Sequence, residues 1–146
     1  MTAAFAIKDL AARVEKQCPG STEEAAANSL IIKADALPGV MAFLKDADGL
    51  KFDYFNYVTA VDYYSYFEVV YQLTSLTHNH TVIIKVRCPR EKAVVPSVVG
   101  LWQGADIQER EIYDLMGIKF EGHPNLKRIF LWEGFEGHPL RKDWNG

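Results

Sequence analysis

Cysteine is scarce in this sequence, which has two such residues, Cys18 and Cys88, among 146. Each directly precedes a proline, and neither forms a CxxC pair or has a histidine at ligand spacing. Iron–sulfur and structural zinc sites need several cysteines or histidines at short, regular spacings. The sequence therefore gives such a site no ligands and predicts two free thiols, buried or half-buried.

Long apolar runs and an excess of positive charge are also missing. The longest apolar stretch, AVVPSVVGLW at 93–102, has about half the length needed to cross a bilayer, and it contains Pro96. The N-terminus lacks the basic start and continuous apolar run of a secretory signal, so we expect the chain to stay on the cytoplasmic side. A formal charge of -3 and a pI near 5.8 give no general attraction to nucleic acid or an anionic membrane.

The composition that remains is typical of one globular domain. A chain of 16.5 kDa with 49% hydrophobic and 24% charged residues can bury a core of ordinary size. We predict an α+β domain over residues 1–119. Residues 120–146 are predicted to continue the same domain as an extended, irregular C-terminal docking arm.

The first part of the chain has helical periodicity twice. Apolar residues from Ile7 to Val14 recur at helical spacing, and CPG at 18–20 ends that pattern. STEEAAANS, 21–29, is interpreted as a polar connector, and SLIIKA, 29–34, as a short strand. A second helix is expected after Asp35 and Pro38, ending at DADG, 46–49.

Residues 50–88 change to a period of two and predict three neighbouring antiparallel strands rich in aromatic and β-branched residues. The tyrosines of this region could form a stacking platform for bases. We favour a half-buried sheet whose phenol hydroxyls face water. These tyrosines are Tyr54, Tyr57, Tyr63, Tyr64, Tyr66 and Tyr71.

Two further helices are expected before the arm. Pro96 is positioned to open one through SVVGLWQ, and Asp106 with Glu109 has the letters of a capping box that starts another near 107. Arg110 and Asp114 are expected to pair at i, i+4, with Gly117 in the left-handed position past the helix end. The predicted order is α-β-α-β-β-β-α, with a largely antiparallel or mixed sheet of about four strands against helices.

The C-terminal segment contains FEGHP twice, at 120–124 and 135–139, and each copy is followed by a basic pair. His123 and His138 invite a metal site, for which Glu121, Glu136, His78 or His80 would have to supply the other ligands. None of these has a recognised metal-ligand spacing.

Catalysis and nucleic-acid binding have little support in the same region. Glu109, Glu111 and Asp114 fit a solvated helix face with an ion pair better than a catalytic dyad. No glycine-rich phosphate loop is present. Residues 120–144 hold four basic side chains (127, 128, 141, 142) and four acidic ones (121, 133, 136, 143), so their charges cancel and do not favour counterion release from nucleic acid.

The arm is too rich in aromatic and aliphatic residues to remain in water, which favours a protein-docking surface. An arm that folds back over its own sheet remains the alternative.

The stretch EREIYDLMGIKFEGHPNLKRIFLWEGFEGHPLRKDW, 109–144, resembles the signature of the 30-kDa (C-type) subunit family of proton-pumping NADH:quinone oxidoreductase, respiratory complex I. The resemblance covers about a quarter of the chain. Family members often have Trp before Glu-Arg-Glu and a final Phe or Tyr, where this chain has Ile107-Gln108 and Trp144. The residues that match are Glu109, Arg110, Glu111, Asp114, Gly117, Ile118, His123, Pro124, Arg128, Ile129, Phe130, Gly137, His138, Pro139, Leu140, Arg141, Lys142, Asp143 and Trp144.

The resemblance implies a non-catalytic structural subunit in the peripheral arm of the complex, at the cytoplasmic face of the membrane, which reaches the membrane only through that complex. It implies docking on the large 49-kDa (D-type) subunit and neighbouring iron–sulfur subunits. NADH or another donor, FMN, iron–sulfur clusters and quinone would belong to the whole complex, with no cofactor on this chain. The expected interface residues are Glu109, Arg110, Glu111, Asp114, His123, Pro124, Arg128, Phe130, Trp132, His138, Pro139, Leu140, Arg141, Lys142, Asp143 and Trp144.

Other interpretations stay open. The chain could be the equivalent subunit of a membrane-bound energy-converting hydrogenase or of a ferredoxin- or F420-dependent quinone oxidoreductase. It could also be a stand-alone metal-dependent enzyme using His123 and His138, or a single-strand nucleic-acid binder. The docking hypothesis expects that deleting 120–146 leaves the α+β body folded and abolishes association with the large partner.

Overall fold

The computed structural model describes residues 2–132 and 134–144 as an α+β fold of eight strands and three α-helices. In chain order, the elements of this described part are β1 (Ala3–Ala4), α1 (Ile7–Gln17), β2 (Thr22–Ala25), β3 (Leu30–Ile32), a 3-10 turn (Ala34–Ala36), α2 (Leu37–Asp46), β4 (Tyr54–Asp62), β5 (Tyr66–Ser75), β6 (His80–Pro89), β7 (Val94–Pro96), α3 (Ala105–Met116) and β8 (Lys119–Glu121).

The main sheet has the order β2-β3-β6-β5-β4, and β1 also pairs with β6. The long hairpins β4-β5 and β5-β6 are antiparallel, as is β2-β3, whereas β3 and β1 run parallel to β6. The predicted antiparallel trio over 50–88 is therefore confirmed. In the described part of the chain, this sheet has six strands rather than about four, and β7 and β8 form a second, parallel pair.

Alternation along the central strands places one row of each strand in the core. In β5, Phe67, Val69, Tyr71 and Leu73 are fully buried, and β6 supplies the matching row Val82, Ile84, Val86 and Cys88. These rows face the buried side chains of the helices, namely Leu10 and Val14 of α1 and Leu37, Val40, Met41 and Leu44 of α2. None of the helices in the described residues is long and apolar enough to span a membrane.

Both N-terminal helices form where the periodicity predicts them. The helix α1 ends at Gln17, next to Cys18, and Pro38 lies in the first turn of α2, where a missing amide hydrogen costs little. Cys88 is buried, Cys18 is half-buried, and neither is in a disulfide.

Two local predictions were wrong, and the prediction that the tyrosine hydroxyls face water fails at one residue, Tyr71. The supposed connector at 21–29 contains strand β2, whose pairing with β3 outweighs its polar letters. Pro96 ends strand β7 instead of opening a helix, because β7 pairs with β8 there. The hydroxyl of Tyr71 is buried and has no hydrogen-bond partner among the described atoms, since its strand is central; the exposed tyrosines include Tyr54 and Tyr64.

Candidate functional site

Helix α3 carries most of the contacts that hold the C-terminal segment, residues 120–144. The first turn of this helix does not form the predicted capping box. Glu109 is fully buried and accepts hydrogen bonds from the Ser97 hydroxyl at 2.6 Å and the Val98 amide at 2.9 Å. The residue at the N-cap position is Gly104, which has no side chain with which to cap the helix. Glu109 therefore holds the loop after β7 against α3.

Burial raises the pKa of Glu109 above its ordinary value, more than the Ser97 hydroxyl, the Val98 amide and nearby His123 lower it. A carboxyl with a raised pKa in the folded state loses stabilisation as pH rises from its ordinary value of 4.5 through the folded pKa.

We expect Glu109→Gln to stay within about 1 kcal/mol of wild type at pH 7, because the amide oxygen still accepts from Val98 and no charge is buried. The raised pKa also predicts a pH trend, in which the stability of Glu109→Gln increases relative to that of wild type as pH rises. Thermal unfolding between pH 4 and 7 measures this trend. Glu111→Gln, on the exposed side of α3, is the control and should show no such trend. If the stability of wild type instead increased relative to that of Glu109→Gln as pH rises, burial would not be what sets the pKa of Glu109.

Asp114, near the end of α3, organises the start of the C-terminal segment. Its side chain is fully buried, and Oδ2 accepts from the amides of Ile129, Phe130 and Leu131 at 3.0, 2.7 and 3.1 Å. The Arg128 guanidinium lies 2.9 Å from Oδ1 and also donates to the carbonyl of Gly137 at 2.8 Å. We call the Asp114 carboxylate, these three amides and Arg128 the Asp114 clasp.

The clasp fixes the ionisation of Asp114. Burial by itself raises the pKa of this carboxyl, but the amides of Leu131, Phe130 and Ile129 and the Arg128 guanidinium outweigh it. The pKa of Asp114 therefore lies below its ordinary value. The predicted i, i+4 pair of Arg110 with Asp114 was wrong, as was the solvated helix face for Glu109 and Asp114, because both carboxylates turn inward to tertiary partners.

The two histidines of the FEGHP repeats are structural contacts of this segment. The His123 side chain is fully buried; its Nδ1 accepts the Asn125 amide at 2.9 Å, so Nε2 carries the proton. That nitrogen donates to the main-chain oxygen of Asp106 at 3.2 Å and lies 2.9 Å from its carboxylate. His138 Nδ1 donates to the main-chain oxygen of Asp114 at 3.0 Å.

Gly117 lets the second His-Pro turn approach the end of α3. Its φ of 76° confirms the predicted left-handed position, and a Cβ there would come within 2.7 Å of the His138 ring. Beside it, the Leu140 amide donates to the Leu115 carbonyl at 2.9 Å. Residues 138–140 are thus packed on the end of α3.

The end of the segment is attached to the β4-β5 hairpin. Asp62, buried at the end of β4, accepts the Lys142 amide at 2.8 Å and pairs with Arg90. The Asp143 carboxylate lies 3.0 Å from the Arg90 guanidinium and accepts a hydrogen bond from Arg141 Nε at 3.1 Å. Sequence reasoning missed Asp62 and Arg90, since no local spacing links them to the C-terminus.

Despite these attachments, the segment leaves large apolar side chains in solvent. Phe130 is 62% exposed, Trp132 68%, Leu140 60% and Trp144 39%. The Trp132 ring packs edge-on against Phe135 at 4.8 Å. We call Phe130, Trp132, Leu140 and Trp144 the exposed apolar set.

The predicted interface residues thus divide into two groups. One group lies at or near the surface and consists of Glu111, Pro124, Pro139, Lys142 and the exposed apolar set. The other group makes contacts inside the chain. In it, the side chains of Glu109, Asp114 and His123 are buried, and those of Arg128 and His138 donate to main-chain oxygens. Arg110 donates to the main-chain oxygens of residues 127 and 128. Within 2–132 and 134–144, no three His, Cys, Asp or Glu side chains are grouped so as to hold a metal ion.

Gln108, at one of the two departures from the family signature, also has a definite contact. Its Oε1 accepts the Val58 amide at 2.8 Å, which satisfies an outward-facing donor on the edge strand β4. Ile107 beside it is 53% exposed.

The sequence matches a known family. The model of the family described as respiratory-chain NADH dehydrogenase, 30 Kd subunit, matches residues 30–146. The C-type subunit of the NADH-quinone oxidoreductase of Hyphomonas neptunium is 40% identical over 146 residues, covering 95% of this chain and 72% of that protein. The corresponding C-type subunit of Roseiflexus sp. is 42% identical over 127 residues, covering 85% of this chain and 73% of that protein.

Solved structures agree in fold. The trypsin-resistant fragment of Nqo5 superposes with a TM-score of 0.66 at 28% identity, covering 82% of this chain and 98% of the fragment. A chain of the membrane-bound sulfane sulfur reductase, an archaeal respiratory membrane complex, gives a TM-score of 0.74 at 23% identity, covering 94% of this chain and 85% of that one, and this likeness shows the fold alone.

The structure is therefore an α+β domain of the kind seen in the Nqo5 fragment. The chain belongs to the 30-kDa subunit family of respiratory-chain NADH dehydrogenase, complex I.

Proposed function

We propose that this chain is a non-catalytic structural subunit of the peripheral arm of a complex I-like NADH:quinone oxidoreductase. It docks on the 49-kDa-type large subunit that forms the quinone site and contacts neighbouring iron–sulfur subunits. The complex as a whole, at the cytoplasmic face of the membrane, would carry NADH or another donor, FMN, iron–sulfur clusters and quinone.

The observation that carries this proposal is the way the exposed apolar set is presented. The Asp114 clasp holds the main chain of 129–131, so Phe130 stands in solvent on a fixed backbone, and the exposed Trp132 directly follows this held stretch. Ordering a flexible segment upon binding costs free energy, and this chain has already been ordered by its own contacts. Large aromatic side chains on a preorganised backbone are typical anchors of protein interfaces.

The histidines support a structural role over metal-dependent catalysis. Both nitrogens of His123 are engaged, and the proton of His138 is directed to a main-chain oxygen. Binding a metal at the His123 ring would require these contacts to break or rearrange.

The choice among relatives of complex I follows the sequence comparisons. The C-type subunits of two NADH-quinone oxidoreductases are 40% and 42% identical over most of this chain. We therefore favour the NADH:quinone oxidoreductase over a hydrogenase or a ferredoxin- or F420-dependent enzyme.

Deleting residues 120–146 would not test docking cleanly. Phe120 is 2% exposed and lies in the core, and Asp114 takes its donors from residues 128–131. The truncated body would lose core packing and expose a buried carboxylate, so its failure to associate would have two causes. Substitution of exposed side chains separates them.

We expect the double variant Phe130→Ala/Trp132→Ala to lose association with the co-expressed large subunit by roughly 100-fold or more, because aromatic hot spots of an interface are each worth about 2 kcal/mol or more and their losses are not fully additive. Affinity purification of the assembly, followed by quantification of the large subunit, measures it. Circular dichroism of the isolated chain should show an unchanged fold.

Leu76→Ala is the matched control, since Leu76 is 66% exposed but lies in the β5-β6 turn. Its association should equal wild type. Normal assembly by the double variant would count against docking through this surface.

A further inference from the structure

A cavity of about 400 Å³ lies between α3 and the C-terminal segment, next to the exposed apolar set. Its lining combines apolar and aromatic groups with two cationic side chains. The lining residues are Tyr113, Leu126, Lys127, Arg128, Leu131 and Gly134.

The charge of this cavity is not balanced by the described residues. Arg128 is neutralised by Asp114, but no described carboxylate lies within ion-pair distance of Lys127. Arg110 donates to the Lys127 oxygen at 3.2 Å and the Arg128 oxygen at 3.4 Å, and it likewise has no ion pair with a described carboxylate. Main-chain oxygens satisfy its donors without cancelling its charge. Lys127 in the wall and Arg110 beside it therefore carry positive charges that no described carboxylate pairs with, on a chain whose formal charge is -3.

We propose that this cavity binds an acidic segment of the partner polypeptide, with an apolar side chain against Tyr113, Leu126 and Leu131 and carboxylates facing Lys127 and Arg110. The inference rests on the proposed docking function and names the chemistry that the partner must supply. We call this the acidic-segment site.

Two features favour this occupant: the location of the site and the order of its main chain before binding. Leu131 lines the cavity and Trp132, the next residue, is 68% exposed, so a partner that covers Trp132 lies next to a residue of the cavity wall. The clasp and the two Arg110 hydrogen bonds fix the main chain of 127–131 before binding, which reduces the ordering cost. Opposite charges across an interface increase association rates and fix the register of the partner.

The first experiment uses a defined probe with the isolated full chain. The probe is a capped pentapeptide with leucine between two pairs of glutamates, and its control has glutamine in place of every glutamate. We expect the acidic peptide to shift the amide NMR signals of residues 126–131 in a saturable, salt-sensitive manner, and the glutamine peptide to bind at least about tenfold more weakly. Equal binding of the two peptides would overturn the charge assignment.

Lys127→Glu should abolish the peptide response, and Lys127→Arg should preserve it. Lys92→Glu, an exposed lysine in the β6-β7 turn, is the control for net charge and should bind like wild type. Vesicles of phosphatidylglycerol and phosphatidylcholine test the other source of anions. Binding to the vesicles through Lys127 without any peptide response would overturn the proposal.

The assembled complex separates this inference from the proposed function. Lys127→Glu should lower recovery of the large subunit by about tenfold, and Lys92→Glu should not. If Lys127→Glu assembles normally while Phe130→Ala/Trp132→Ala does not, docking stands and the acidic-segment site is wrong. If the wild-type chain recovers no large subunit, the proposed function itself is wrong.

Discussion

Replacing Asp114 with alanine is expected to lower the free energy of unfolding by about 3–5 kcal/mol, because it removes one partner of a buried ion pair and leaves its donors unsatisfied. Arg128 and the amides of Ile129, Phe130 and Leu131 all lose their acceptor. Denaturant unfolding of the isolated chain measures the loss. The main chain after 128 should also become more accessible to trypsin and to hydrogen exchange.

Two variants make this result interpretable. Asp48→Ala removes an exposed carboxylate and should change stability by no more than about 0.5 kcal/mol. Asp114→Asn keeps the shape and one oxygen acceptor, and we expect it to fall between wild type and Asp114→Ala. An Asp114→Ala chain as stable as Asp48→Ala would show that the clasp does not hold the segment.

The clasp also sets a pH dependence. Because the pKa of Asp114 is lower in the folded state than its ordinary value, its stabilisation is complete above that ordinary value, 3.8, and is lost as pH falls through the folded pKa. Asp62, at the other end of the segment, follows the same sign, since the Lys142 and Tyr64 amides and Arg90 outweigh its burial and lower its pKa. Acidification below about pH 4 should therefore loosen both ends of the C-terminal segment.

Phe120→Ala is expected to cost about 3–5 kcal/mol, from lost burial and from the cavity left behind. Phe120 is 2% exposed and lies in β8, paired with Val95 of β7. It is the first residue of the first FEGHP, so this result would place the start of that repeat in the core. Denaturant unfolding again provides the measurement.

The chain offers a matched control ten positions further on. Phe130→Ala makes the same chemical change at a side chain that is 62% exposed, and we expect a loss of no more than about 0.5 kcal/mol. Equal losses for the two substitutions would show that Phe120 is not a core residue.

Much of the body could be predicted from the sequence because its elements are coded locally. The spacing of Leu10 and Val14, the alternation along 54–89 and the glycine at 117 each indicate their structure within a few residues. Errors arose where pairing with a distant strand decided the outcome. Strand β2 pairs with β3 although its polar sequence favours a connector, and β7 pairs with β8 although Pro96 favours the start of a helix.

The carboxylates of α3 show the limit more sharply. Helical spacing allows Asp114 to pair with Arg110, and a capping pattern allows Glu109 to face Asp106. In the folded chain, the Asp114 carboxylate instead accepts a hydrogen bond from Arg128, and the Glu109 carboxylate accepts one from the Ser97 hydroxyl. Both alternatives use the same residue types, so only the path of the surrounding chain distinguishes them.

The sequence by itself determined the α+β class, the main helices, the central hairpins and the family signature over 109–144, because these depend on short-range periodicity and on the order of residues. The tertiary structure alone decided which charged groups are buried and which aromatic side chains face solvent. Burial depends on chain segments that are far apart in sequence, such as Asp62 and Lys142. The 30-kDa family signature thus combines residues that hold the segment in place with residues that the segment presents to solvent.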